Sequence, residues 1–196
     1  MEKFNEIKCR KAVELLLESF GEDINREGLR ETPRRVAGYW KELLEGNEYT
    51  NEQIAKMYSK KFIVKDDTLV VKEVKNLFSH CEHHLALMFN MKAVVAYIPK
   101  KVKGGYEVIG LSKIPRIVEM CTKRLQLQEK LASDIAECLS IATGSKDIYV
   151  NISGDHGCVS ARGSKSEGFT DVTYLSGKFR TNSDLRNEVE RKIASR

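Results

Sequence analysis

Ser79-His80-Cys81-Glu82-His83-His84 decides which parts of the chain must meet, and the fold is read outward from it. The sequence holds four histidines, three of them in these six residues; the fourth, His156, stands two places before Cys158, so every imidazole lies close to a thiol. Thiolate and neutral imidazole are the donors a borderline-soft cation such as zinc prefers, and both become available when the metal displaces their protons. In a helical turn over Cys81–His84, positions i and i+3 share a face, so Cys81 and His84 grip one ion while His83 points elsewhere. In a strand over Cys158–Arg162, alternation puts His156, Cys158, Ser160 and Arg162 in one row. Cys81, His84 and Cys158 then supply three ligands and leave a fourth tetrahedral place to water, with His83 and His156 nearby as imidazoles able to move protons. Two other readings remain open: a closed structural zinc with His156 or His83 as the fourth ligand, and a core thiol at Cys158 unrelated to Cys81.

Around this stretch the pattern turns from helical to extended and back. Residues 3–20 carry Phe4, Ile7, Val13, Leu16, Leu17 and Phe20 at helical spacing up to Gly21. A second helix follows Thr32-Pro33, with Thr32 as cap and Pro33 at the first helical position, and runs to Gly46. Phe62 to Val74 reads as a hairpin broken at Asp66-Asp67, and Ala93 to Ile98 as a strand closed by Pro99. Gly110-Leu111-Ser112-Lys113 opens a helix to about Arg124, and a longer one spans Leu127 to Ala142, stopping at Gly144. Strands at 148–152, 158–162 and 169–175 precede a closing helix at 182–194, capped by Asn182 or Ser183. This order predicts an α+β fold in which an antiparallel sheet carries two helices on one face. It divides the chain into an N-terminal helical segment, 1–60, and a catalytic domain, 61–196.

With 196 residues and 41% hydrophobic content, the chain is long enough to bury a proper core. Five cysteines, odd in number and widely spread, and an opening Met1-Glu2-Lys3 without an apolar stretch point to a reducing, cytoplasmic setting. No apolar run approaches the roughly 20 residues of a membrane span, so no membrane partner is expected. A net charge of +5 suits an ordinary solvated surface better than a nucleic-acid partner, and Lys100, Lys101 and Lys103 beside Gly104-Gly105 read as a loop tip.

Two further stretches carry chemistry. Ser112 is a good N-cap, yet the first turn after it holds Lys113 and Arg116, cations where the helix dipole favours anions. Free amides with two cations on one face make a phosphate cradle, the alternative being a solvated basic turn. Arg162 adds a fork-shaped donor for another phosphate oxygen. Gln128-Glu129 opens the longer helix; a carboxylate matches the ring N–H and exocyclic amine on guanine's edge, although such a pair also serves simply to balance the dipole.

Cys81-Glu82-His83-His84, Val108-Ile109-Gly110-Leu111-Ser112-Lys113 with Arg116, Arg124-Leu125-Gln126-Leu127-Gln128-Glu129, and His156-Gly157-Cys158 with Ala161-Arg162-Gly163 resemble, in order and spacing, the signature blocks of GTP cyclohydrolase I. Glu31-Thr32-Pro33-Arg34-Arg35-Val36-Ala37 is similar to the family's N-terminal block, so the resemblance covers roughly Glu31 to Phe179. It implies a tunnelling (T-) fold, a homodecamer with active sites at subunit boundaries, and conversion of GTP and water to 7,8-dihydroneopterin triphosphate and formate, the entry to folate or pterin synthesis. Carried over position by position, it implies Cys81, His84 and Cys158 as zinc ligands, His83 and His156 as proton carriers, and Gln128 and Glu129 as guanine anchors. Ser112, Lys113, Arg116 and Arg162 resemble the triphosphate pocket, with Ser112 also implicated in the later rearrangement. Gly38 stands where many relatives place a lysine, which leaves that edge of the triphosphate to Arg35 or weakens the grip. Leu85 to Met91, Val102 to Tyr106 and Ser164 to Phe169 also depart from the common pattern. Two other functions fit the same blocks: a silent GTP-binding or scaffold relative, and a cyclohydrolase that stops at a ring-opened product.

Overall fold

Ala93-Val94-Val95-Ala96-Tyr97 is buried at every position, which a strand allows only if both faces of its sheet are covered. The computed structural model describes residues 3–166 and 168–195. The N-terminal part holds α1 (Glu6–Ser19), α2 (Thr32–Leu43), a tight 3₁₀ turn at Glu45–Glu48 and α3 (Asn51–Met57). Then come β1 (Lys61–Val64), β2 (Val70–Cys81), β3 (Leu87–Tyr97), β4 (Lys100–Val102) and β5 (Gly105–Ile109). Two helices, α4 (Lys113–Thr122) and α5 (Gln128–Thr143), are separated by the short β6 (Leu125–Gln126). The chain continues through β7 (Ile148–His156), the single turn α6 (Gly157–Ser160), β8 (Thr170–Leu175), α7 (Lys178–Thr181) and α8 (Ser183–Ala194).

The main sheet runs β6-β2-β3-β7-β8, antiparallel throughout except that β6 pairs in parallel with β2. One face carries α4 and α5: Ala93, Val95 and Tyr97 of β3 and Val150 and Ile152 of β7 share a core with Ile114, Ile117, Val118, Leu131, Ile135 and Leu139. This is the α+β layout expected, with two helices on one face. Val94, Ala96 and Tyr149 point the other way, into a smaller core with Phe179 and Val189, so the C-terminal helices close part of the second face. Gly144, left-handed at φ 72°, ends α5 as a glycine cap should.

Several local readings are corrected. Thr32 lies inside α2 rather than capping it, and Glu31 occupies the cap position without a side-chain bond. β1 and β2 do not form a hairpin across Asp66-Asp67; β1 instead pairs with β5 in a second sheet ordered β1-β5-β4. Lys100 and Lys101 sit on β4, not on a loop tip. The unforeseen α3 has a full capping box, in which Thr50 Oγ1 accepts from the Gln53 amide and the Gln53 side chain accepts from the Thr50 amide. Residues 158–162 are not a strand: β7 ends at His156 and the chain turns into α6.

All five cysteines are free thiols. Cys121 and Cys138 meet inside the core at 3.7 Å, and their mutual hydrogen bond and burial push the Cys121 thiol well above its ordinary range. Among the described residues no helix is long and apolar enough to cross a membrane.

Arg124 ties the N-terminal helices to this scaffold. Nearly buried, it donates to the carbonyls of Gly46 (3.1 Å) and Tyr49 (3.0 Å), to Asn51 Oδ1 (2.8 Å) and to Asp134 (2.8 Å). Without the guanidinium Asp134 keeps Lys130 at 2.6 Å, but the Gly46 and Tyr49 carbonyls and Asn51 Oδ1 all lose this donor. Arg124→Met is therefore expected to lower unfolding stability by about 3 kcal/mol in urea titration; an unchanged midpoint contradicts this role.

Candidate metal centre and nucleotide site

Cys81 is the last residue of β2, and its amide donates to Ala86 O at 2.9 Å, closing the β2–β3 turn. Leu85 takes the left-handed conformation (φ 53°) that lets so short a reversal close. Cys81 to His84 is thus a hairpin turn rather than the helical turn expected, but it still folds His84 back toward Cys81. On the other side, β3 pairs with β7 so that Met88 faces His156, which delivers the next residues, Gly157 and Cys158, to the same corner. A β-carbon on Gly157 would stand 3.0 Å from Leu87 O, so glycine is what lets the chain turn this close to β3.

The result is that donor atoms of Cys81, His84 and Cys158 all lie within 4.8 Å of one another. Ligands about 2.0–2.3 Å from a tetrahedral ion lie less than about 4 Å apart, so small side-chain movements close this group on a cation. Its chemistry fits as well. Burial and the neighbouring Cys81 raise the Cys158 thiol above its ordinary range, because two thiolates at one corner repel unless a cation sits between them. Among the described residues neither His83 nor His156 joins the three. His83 is exposed, its ring 6.3 Å from that of His84 and nearly perpendicular. His156 is held 2.6 Å from Gln128 Oε1.

Arg162 reaches this corner too: its Nη1 lies 2.8 Å from His84 Nε2. A guanidinium only donates, so Nε2 holds the ring's lone pair in this arrangement. A neutral imidazole has one such pair, and a cation at His84 must compete with Arg162 for it.

Beside the metal corner a cavity of about 420 Å³ is lined by Phe89, His156, Val159, Phe169 and Thr170. This is a size that suits a small organic ligand. Gln128 is buried at the start of α5, and the adjacent Glu129 is exposed.

The phosphate cradle is less complete than its sequence suggests. Ser112 stands at the cap position of α4 with no side-chain capping bond; the Lys113 amide is taken by Gly110 O (2.8 Å), and Pro115 has no N–H. An anion there would meet chiefly the side chains of Ser112, Lys113 and Arg116. The far end of α4 abuts the metal strand, since Ser79 Oγ donates to Thr122 O (2.7 Å) and Cys81 pairs with Gln126. Ten residues of helix, about 15 Å, therefore separate Lys113 from that end. Among the described residues none of Ser112, Lys113, Arg116, Glu129 and Arg35 makes a side-chain hydrogen bond or ion pair with the three donors.

His80, the remaining imidazole of the cluster, belongs to the scaffold. It is 2% exposed, its Nε2 lies 3.0 Å from Tyr39 Oη, and its ring meets Trp40 edge-on at 4.8 Å, pinning α2 to β2. Burial holds it below the ordinary imidazole range. Strand alternation was the available signal, for it sends His80 to the face opposite Cys81.

Two thiols and an imidazole that could hold a cation, brought together where a hairpin turn meets a neighbouring strand end on an α+β scaffold, point to a class of metal-dependent enzyme. The sequence model of GTP cyclohydrolase I matches residues 9–194. The chain is 47% identical over 177 residues to the GTP cyclohydrolase 1 of Clostridium acetobutylicum, covering 87% of this chain and 88% of that protein. It is 43% identical over 195 residues to the Clostridium beijerinckii protein of the same name, covering 95% and 96%. A solved apo structure of the archaeosine synthase QueF-Like aligns with 58% of this chain and 97% of its own at a TM-score of 0.46 and 20% identity. The chain belongs to the GTP cyclohydrolase I family.

The Gly157 contact yields a test of the corner. Gly157→Ala makes the Leu87 carbonyl give by a few tenths of an ångström, and displacement of this supporting contact is expected to weaken zinc affinity about tenfold in chelator competition. Unchanged affinity contradicts the role given to this turn.

Proposed function

We propose that this protein converts GTP and water to 7,8-dihydroneopterin triphosphate and formate, the first step of folate or pterin synthesis. The observation that carries the reading is the convergence of Cys81, His84 and Cys158 beside a cavity lined by His156, in a chain of this family. These three residues would hold zinc, which when bound acts as a Lewis acid and brings the pKa of water down to about 7.

The remaining steps belong to the chain's own groups. His83, exposed beside His84, protonates the purine near N7 and makes C8 more electrophilic. His156 moves the second proton as the ring opens and the carbon leaves as formate. Glu129 accepts from the guanine edge. Ser112, Lys113, Arg116, Arg162 and Arg35 bind the triphosphate, with Ser112 assisting the later rearrangement. Arg162, whose Nη1 lies 2.8 Å from His84 Nε2, would turn toward phosphate if His84 held a metal through that nitrogen.

The exposed cradle at one end of α4, about a helix length from the residues beside Cys81, supports a homo-oligomer, a homodecamer in our reading, whose sites form between subunits. The free thiols support a reducing, cytoplasmic setting.

The deciding assay incubates zinc-loaded protein with GTP and measures formate together with the fluorescence of oxidised neopterin. Both products are expected. GTP binding without formate contradicts the reading in favour of a silent relative, and a retained formyl group without neopterin in favour of a ring-opened product. Cys158→Ser is expected to lose metal and activity, and His83→Ala to keep zinc but fail at ring opening; formate at the wild-type rate from either removes that residue's role.

Gly38 offers a gain-of-function check. It sits inside α2 on an exposed face, with nothing within 4 Å of where a β-carbon would lie. Gly38→Lys is expected to add about 0.5–1 kcal/mol of stability through helix propensity and to lower the KM for GTP. A lower or unchanged melting temperature contradicts the first expectation, and an unchanged KM the second.

A further inference from the structure

The side chain of Gln128 spans three elements. Its Nε2 lies 2.8 Å from Ile152 O on β7 and 2.8 Å from Thr170 O on β8, and its Oε1 lies 2.6 Å from His156 Nε2. The amide has no freedom to turn over. Reversed, its oxygen would face two carbonyl oxygens with no hydrogen between them, inside a site where Gln128 is only 2% exposed. With the orientation fixed by those two carbonyls, Oε1 is what His156 Nε2 meets, and an amide oxygen accepts only. His156 Nε2 must therefore carry the hydrogen, which leaves the ring's lone pair on Nδ1.

We propose that Gln128 is a positioning residue that fixes His156 as the Nε2–H tautomer, so that proton transfer at this histidine runs through Nδ1. This deepens the cyclohydrolase reading and rests on it for the meaning of His156, though the tautomer itself does not. It also reassigns Gln128. Both of its N–H groups are spent on backbone carbonyls, so it has none to offer a purine, and recognition of the guanine edge falls to the exposed Glu129. The arrangement follows the general logic by which one ring nitrogen is tied down so that the other is presented in a defined state. Placing the anchor on α5, against two adjacent strands, also fixes where the ring stands relative to Cys158.

Solid-state ¹⁵N NMR of the zinc-loaded full chain, labelled at histidine, reads the tautomer directly, with His156 assigned by the signal lost in His156→Asn. A pyrrole-type Nε2 and a pyridine-type Nδ1 in the wild type are expected. The reverse pattern, or a mixture of both tautomers, overturns the proposal, and this measurement needs no variant at Gln128 to fold. In Gln128→Leu, once shown to be folded, the His156 signals are expected to become a mixture. The rate of formate release should then fall about 100-fold, while the KM for GTP stays within about threefold because no substrate contact has been removed. A raised KM with unchanged kcat overturns the proposal in favour of a guanine anchor. Wild-type protein that shows the expected tautomer but releases no formate would sink the cyclohydrolase reading alone; an active enzyme with the wrong tautomer would sink only this inference.

Discussion

The backbone pairing of β3 with β2 on one side and β7 on the other is the constraint on which the site depends. Cys81 and His84 come from the turn that joins the first pair, and Cys158 from the end of the second. Because side chains alternate with period two, a slip of one residue in either register would turn Cys81 or the His156 end of β7 to the wrong face. The hydrophobic run of β3, gripped by cores on both faces, is what makes such a slip costly. Packing far from the metal corner thus sets the distance between its thiols.

That constraint concentrates like charge. Burial and then the neighbouring Cys81 hold the Cys158 thiol above its ordinary range, and the Arg162 guanidinium lies 2.8 Å from His84. A cation held here would relieve the repulsion between the two thiolates, and in the function proposed above it would also free Arg162 from the His84 lone pair it now faces. Around the corner, Gln126 donates to Ser79 Oγ and to Cys121 O through its Nε2, its buried Oε1 having no partner among the described residues, while Arg124 satisfies three N-terminal partners and Asp134.

The clustering of imidazoles beside thiols made the three donors legible in the sequence, because few other arrangements place those residue types together. Helices were legible where a stop or cap marked them, as Gly144 ends α5 and Asn182, accepting from the Leu185 amide, starts α8. What escaped was decided by tertiary contact. Nothing local says that β1 would leave β2 and pair with β5, or that a glycine beside Leu87 would turn residues 157–160 into a helical turn. The three donors meet although the local geometry at both ends differs from the helical turn and the strand expected. The role of His80 was hidden differently: it resembles an active-site residue by its neighbours, and only its hydrogen-bond partner shows it serving the scaffold.

The central claim is that two thiolates and one imidazole bind an ion and leave a place for an exchangeable ligand. X-ray absorption at the zinc edge of the loaded protein tests it most directly. The account predicts two sulfur scatterers at about 2.3 Å and two nitrogen or oxygen scatterers at about 2.0–2.1 Å, one of which is replaced when an anion such as azide is added. A shell that ignores added anion, with a second histidine as its fourth member, would contradict it.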